Sequence, residues 1–186
     1  MAFSQAGDRS RVRLATLVTL AAVAAVVARF GLHPQTPAFC YLAAVGVPLA
    51  FIDAREYRLP DALTLLSYPA CLLLLGLAAP FVPGGTGRFV HALIGMAAGV
   101  ALFFLLLLAF PAGLGMGDVK LAGPLGAYLG WLGATAFAAG LMAAWLLAAL
   151  TGLGLMLAHR ATRKTQIPFG PFLIAATLAV VLASGA

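Results

Sequence analysis

Carboxylates are scarce in this chain, and where they fall is informative. The 186 residues contain five: Asp8, Asp53, Glu56, Asp61 and Asp118. Asp8 falls in a polar N-terminal stretch and reads as solvated. Asp53 closes the uncharged run 41–52, and Asp118 follows Gly113, Gly115 and Gly117 in "GLGMGDVKLAG" (113–123). Each of these two sits where an apolar segment ends or begins, and an ionisable group at membrane depth is expensive enough to mark function by default. Two carboxylates brought within a few ångströms do not both ionise readily. One keeps a proton, which sets an acid and a base side by side. Such a pair activates water and protonates a leaving amide nitrogen without a metal or a nucleophilic side chain.

The other candidates have plainer readings. Asp61 follows Pro60 and opens the run 62–79, which predicts a helix N-cap. Glu56 lies between Arg55 and Arg58 and predicts a loop charge in local pairing. Lys120, two residues past Asp118, either supports the site or serves as an inward-facing charge that meets lipid phosphate. Gly115 and Gly117 predict a backbone that leaves the helical path and admits an extended substrate segment. Competing chemistry is missing from the sequence. His33, His91 and His159 are scattered, so neither a metal site nor a cofactor is expected. Cys40 and Cys71 lie in apolar segments with no CxxC pair, and there is no GxSxG.

The elements that must position these residues follow from composition. The chain is 63% hydrophobic and 9% charged, against about 25% charged in a soluble domain. Its long apolar runs approach the ~20 residues that cross a bilayer. An all-α, polytopic transmembrane bundle in a single domain, 1–186, is predicted. Gly and Pro punctuation divides it into about seven spans near 13–32, 38–53, 61–80, 89–110, 118–131, 133–158 and 168–185. The fifth, interrupted by Gly123-Pro124, reads as a half-length or kinked helix. A rival reading removes the first span as a signal peptide, leaving six.

The net charge of +6 does not imply nucleic acid, because the cations occupy short loops. With the N-terminus cytoplasmic, Arg9, Arg11, Arg13, Arg55, Arg58, Lys120, Arg160, Arg163 and Lys164 share one side and Arg29 and Arg88 the other, as the positive-inside rule requires. Asp53 and Asp118 then face the cytoplasm. Asp53 would end its helix and Asp118 begin its own, so opposite helix-dipole ends predict Asp53 as the proton carrier and Asp118 as the base.

"GMGDVKL" together with "IDAREYRLPDALT" resembles the type IV prepilin peptidases, members of the GxGD intramembrane aspartyl proteases. Asp53 stands seven residues before Pro60, the family's spacing from its first catalytic aspartate to an [LI]P[DN] element; Asp118 is the aspartate of GxGD. "IPFGPFL" (167–173) is similar to the segment opening the last helix. The resemblance covers about 38–185, with 13–32 as an extra N-terminal span. It implies a peptidase of the bacterial inner membrane that removes the basic leader of a prepilin or pseudopilin at the cytoplasmic face, after a glycine. Asp53 and Asp118 would be catalytic, and Gly115, Gly117, Lys120, Pro60 and Asp61 supporting. Lacking the cysteine-containing loop of full-length members, the chain resembles the short, peptidase-only form or a clipped catalytic domain. The alternatives are a small proton-coupled transporter or a catalytically silent pilus or secretion assembly partner.

Overall fold

A computed structural model describes residues 2–111, 114–159 and 168–184, with side chains from Ser10 onward. The described residues form seven helices and no strands: α1 (Ala2–Phe30), α2 (Thr36–Glu56), α3 (Asp61–Ala78), α4 (Gly85–Ala109), α5 (Met116–Leu132), α6 (Ala134–Leu157) and α7 (Gly170–Ala183). A single 3-10 turn, Ala79–Phe81, extends α3. Five stretches are long and apolar enough to cross a membrane: Ser10–Phe30, Thr36–Glu56, Asp61–Phe81, Gly85–Ala109 and Ala134–Leu157. The chain is a multi-pass helical membrane protein.

Three expectations need correction. Asp8 and Arg9 to Arg13 belong to α1, which begins at Ala2, and not to a tail. The second span does not stop at Asp53; α2 runs to Glu56, so Glu56 is helical. The fifth is not half-length, since α5 runs through Pro124 for 17 residues, about 25 Å at 1.5 Å per residue.

α5 tolerates its proline because the backbone group that Pro124 frees is recaptured. A proline has no N–H for the carbonyl four residues earlier, here Lys120. The Tyr68 hydroxyl on α3 donates to that carbonyl at 2.9 Å. The Gly123 position has to be bare for this, because a Cβ there would lie 2.6 Å from Tyr68 Cζ.

The interior of the bundle is α5 itself. Every residue from Asp118 to Trp131 except Lys120 is buried, and α5 packs against α3, α4, α6 and α7. Its face toward α4 is backbone on backbone. A Cβ on Gly126 would strike the Gly95 carbonyl, one on Gly99 the Ala122 carbonyl, and one on Gly130 the His91 carbonyl. Small residues spaced by four are how helices approach closely where no hydrophobic effect drives them together. At one end of the bundle Phe30, Phe39 and Tyr128 stack in sequence, at 5.0 and 6.3 Å between centroids, and Trp131 Nε1 donates to the buried Gln35 Oε1 at 3.1 Å. Arg29 at the end of α1 donates to the Leu182 carbonyl in the last turn of α7 and to the Ser184 carbonyl just past it.

Replacing Gly126 by valine is expected to break this packing, because the obstructing atom is main chain. Overpacking of a core costs about 1–3 kcal/mol even where side chains yield. Gly154→Ala, in α6 with nothing within 4 Å, should be neutral or stabilising by up to about 1 kcal/mol. Thermal unfolding in detergent reads both, and equal midpoints for the two variants would contradict the backbone contact.

Candidate active site

At the end of the bundle opposite Arg29, a cavity of about 500 Å³ opens between the last turn of α2, the 57–60 connection, and the start of α5. All seven residues singled out from the sequence line it: Asp53, Pro60, Asp61, Gly115, Gly117, Asp118 and Lys120. Asp53 is 6% exposed and Asp118 8%. Both side chains are therefore withdrawn from water while facing a space large enough to hold it, and Asp118 lies within electrostatic reach of Asp53.

Each carboxylate is held by a main-chain donor at a helix start. Asp118, in the first turn of α5, accepts the Gly115 N–H through Oδ2 at 3.1 Å. This is the reciprocal half of a capping box, with the carboxylate reaching back to the N-cap amide. Asp53 accepts the Gly170 N–H at 3.2 Å, also through Oδ2. Gly170 is the first residue of α7, so Asp53 stands between the C-terminal end of α2 and the N-terminal end of α7. The helix-end argument for separating the two aspartates thus loses its basis: both face a helix N-terminus. Gly170 escaped the sequence reading as a site residue, although the similarity of 167–173 to the family's last-helix segment marked its neighbourhood. A Cβ at Gly170 would lie 2.6 Å from Asp53 Oδ2 and 3.2 Å from its Cγ, so glycine is what admits the carboxylate.

The supporting residues follow their sequence readings only in part. Asp61 caps nothing: Pro60 is the N-cap residue of α3 and makes no side-chain cap bond. Asp61 is the first residue of α3, one past the N-cap position, and its carboxylate pairs with Lys120 Nζ at 2.7 Å. With the Tyr68 bond to the Lys120 carbonyl, this pins α3 to α5 at two points of one residue. Gly115 does leave the helical path, extended at φ −100° and ψ 157°, whereas Gly117 already lies in α5. Gly117 is close-packed, as bare backbone there allows, with a Cβ meeting Leu59 Cβ at 3.3 Å; Gly113 lies outside the described residues. The left-handed position at the site is Tyr57, φ 51°, whose N–H bonds the Asp53 carbonyl at 3.0 Å. It turns the chain out of α2 at a cost of about 1–2 kcal/mol for a non-glycine residue. Cys40 lies in α2 and Cys71 in α3 as free thiols, and among the described residues no three His, Cys, Asp or Glu side chains form a metal-ligand group.

The structure is thus a multi-pass helical protein in which two buried carboxylates, from helices distant in the chain, line one cavity. Comparison with known proteins narrows this. A family profile described as the type IV leader peptidase family matches residues 38–184. Similar curated proteins, each named "Prepilin leader peptidase/N-methyltransferase", come from Aeromonas salmonicida, 38% identical over 91% of this chain and 57% of that protein, and from Dickeya chrysanthemi, 37% identical over 69% and 44%. A third, from Neisseria gonorrhoeae, is 35% identical over 71% and 43%. No solved structure gives a significant match. The chain belongs to the type IV leader peptidase family, and it spans about half the length of these curated relatives.

Tyr68→Phe should leave the Lys120 carbonyl buried without a donor and cost about 1–3 kcal/mol by soluble-protein measure, nearer 1 in a membrane interior. Asp61→Asn, at an ion pair whose side chains are 31% and 64% exposed, should cost less than about 1 kcal/mol. Unfolding midpoints in detergent rank the two, and the reverse order would mean that the exposed pair, not the hydroxyl, joins α3 to α5.

Proposed function

We propose that this chain is an aspartyl endopeptidase that removes the basic leader of a prepilin or pseudopilin, with Asp53 and Asp118 as its catalytic pair. The observation that carries the reading is the convergence of these two buried carboxylates on one cavity, in a chain of the leader peptidase family. In the proposed mechanism the pair holds a single proton between its members. The ionised carboxylate takes a proton from a water in the cavity as that water attacks the scissile carbonyl, and the protonated one donates to the departing amide nitrogen. The Gly115 and Gly170 amides keep the two groups aimed at the cavity, so that little reorganisation is needed as charge moves. Gly115, Gly117, Pro60 and the Asp61–Lys120 pair shape the wall.

The reading extends to topology. Arg11, Arg55, Arg58 and Lys120 cluster at the cavity end, whereas Arg29 lies with the C-terminal end of α7. Under the positive-inside rule the cavity then faces the cytoplasm and the chain sits in a bacterial inner membrane with a cytoplasmic N-terminus. A substrate whose lysine- and arginine-rich leader precedes an apolar helix obeys the same rule and delivers its cleavage point to this side. The methyltransfer in the relatives' name is no part of this proposal. A proton-coupled carrier is disfavoured because the acids sit at one end of the bundle and not midway along a span.

Incubation of purified protein with a full-length pilin precursor tests the proposal. Asp53→Asn and Asp118→Asn should each abolish nearly all cleavage, since members of a catalytic unit fail together, while Asp61→Asn and Glu56→Gln retain it. Gly170→Ala should lower kcat more than it raises KM, because its Cβ displaces Asp53. EDTA should change nothing. Processing by Asp118→Asn at the wild-type rate would end the proposal.

A further inference from the structure

Behind Asp53, the start of α7 carries a further set of contacts. Gly170, whose N–H bonds Asp53 Oδ2 at 3.2 Å, shares its peptide unit with Phe169, the N-cap residue of α7. No side-chain bond caps this helix. Pro168 and Pro171 flank the pair, and each ring fixes its own φ. The direction of the Gly170 N–H therefore follows chiefly from the backbone angles of Phe169, φ −87° and ψ −26°. The carbonyl of the same peptide unit accepts the Phe172 and Leu173 N–H groups at 3.1 and 3.2 Å. One peptide plane thus opens α7 on one side and meets Asp53 on the other.

The Phe169 side chain is 8% exposed and is gripped from two helices. Its ring centroid lies 4.7 Å from that of Trp145 on α6 and 5.8 Å from that of Phe103 on α4, both tilted. These separations fall in the favourable range for aromatic pairs, and packing of this kind is what holds helices together in lipid. Phe103 is one turn past Gly99, which meets Ala122 on α5, and Asp118 is one turn before Ala122. The rings therefore sit at the depth of the carboxylates, although none of the three lines the cavity. We propose that Phe169, held between Trp145 and Phe103, is a positioning residue: it fixes the peptide unit that aims the Gly170 amide at Asp53, and so sets Asp53 against Asp118. The effect on turnover rests on the proposed peptidase activity; the placement of the amide does not. Because the rings lie away from the cavity, losing them costs turnover and not substrate affinity.

Two measurements on the purified full chain test this. Hydrogen–deuterium exchange over 168–173 reads the amide whether or not a substrate is cleaved. Phe169→Leu and Trp145→Leu should each speed exchange there about fivefold, the worth of one ring pair. Phe39→Leu, which removes a buried ring from the stack at the other end of the bundle, should not. Trp145 is 41% exposed, so Trp145→Leu keeps the test where Phe169→Leu does not elute as a single species. Cleavage of a full-length pilin precursor reads the consequence. Trp145→Leu should lower kcat about fivefold and Phe169→Leu roughly tenfold to a hundredfold, with KM unchanged in both. Trp145→Phe keeps a ring against Phe169 and should recover wild-type turnover. Adding Trp145→Leu to Phe169→Leu should lower kcat no further, because both act through one contact. Phe39→Leu should lower the unfolding midpoint and leave kcat alone. Unchanged exchange over 168–173 in the two leucine variants of the cluster would overturn the proposal, and so would a kcat that merely follows the unfolding midpoint across these variants. Faster exchange in a protein that cleaves nothing would uphold the placement and count against the peptidase activity alone.

Discussion

The close approach of α4 to α5 is the constraint from which the site follows. With Gly95, Gly99, Gly126 and Gly130 at the contact, main chain rests on main chain, and no side chain is available to cushion it. Burial in lipid supplies no hydrophobic force between helices, so association depends on packing of this kind and on polar bonds. Drawing α5 against α4 leaves it enclosed by α3, α6 and α7 as well. Asp118 is thereby carried into the protein interior, where a carboxylate without bonding partners would be prohibitive.

The cost is met by main-chain groups that helix geometry leaves unused. The first amides of any helix lack an intrahelical acceptor. Two of them, at Gly115 and Gly170, are taken up by the two aspartates. Pro124 creates the opposite problem, a carbonyl without a donor, and Tyr68 resolves it. These three bonds join α2 to α7, α3 to α5, and Gly115 to the first turn of α5. The site's rigidity therefore comes from the same bonds that make its burial tolerable, and the exposed Asp61–Lys120 pair adds little to either.

Much of this was legible in the sequence. The Gly and Pro punctuation located all seven helices to within a few residues, except for the start of α1, where charged residues continue a helix that hydropathy alone would begin later. The two aspartates stood out because a carboxylate at the border of an apolar run needs a reason. What stayed hidden depends on partners distant in the chain. Gly170 reaches Asp53 across 117 positions, and no local spacing encodes that meeting. Asp61 after Pro60 has the local look of a cap, yet the choice between an amide and the Lys120 ammonium is made by how α3 sits beside α5. The spacing of Gly95 and Gly99, and of Gly126 and Gly130, is visible as a small-residue pattern, but not which helix answers which.

The register of that glycine contact sets a depth. His91 lies against Gly130, Gly95 against Gly126 and Gly99 against Ala122, so one further turn places Asp118 level with Phe103. α4 continues to Ala109, six residues and about 9 Å beyond. Asp118 is thus sunk below the rim its neighbour defines, in a pit walled by protein because α5 is enclosed by its neighbours. A peptide bond presented at headgroup level on an intact helix would stop short of the carboxylates. On the proposed activity, a substrate has to unwind locally and descend into the pit, so hydrolysis would select for chain that frays easily at the membrane border.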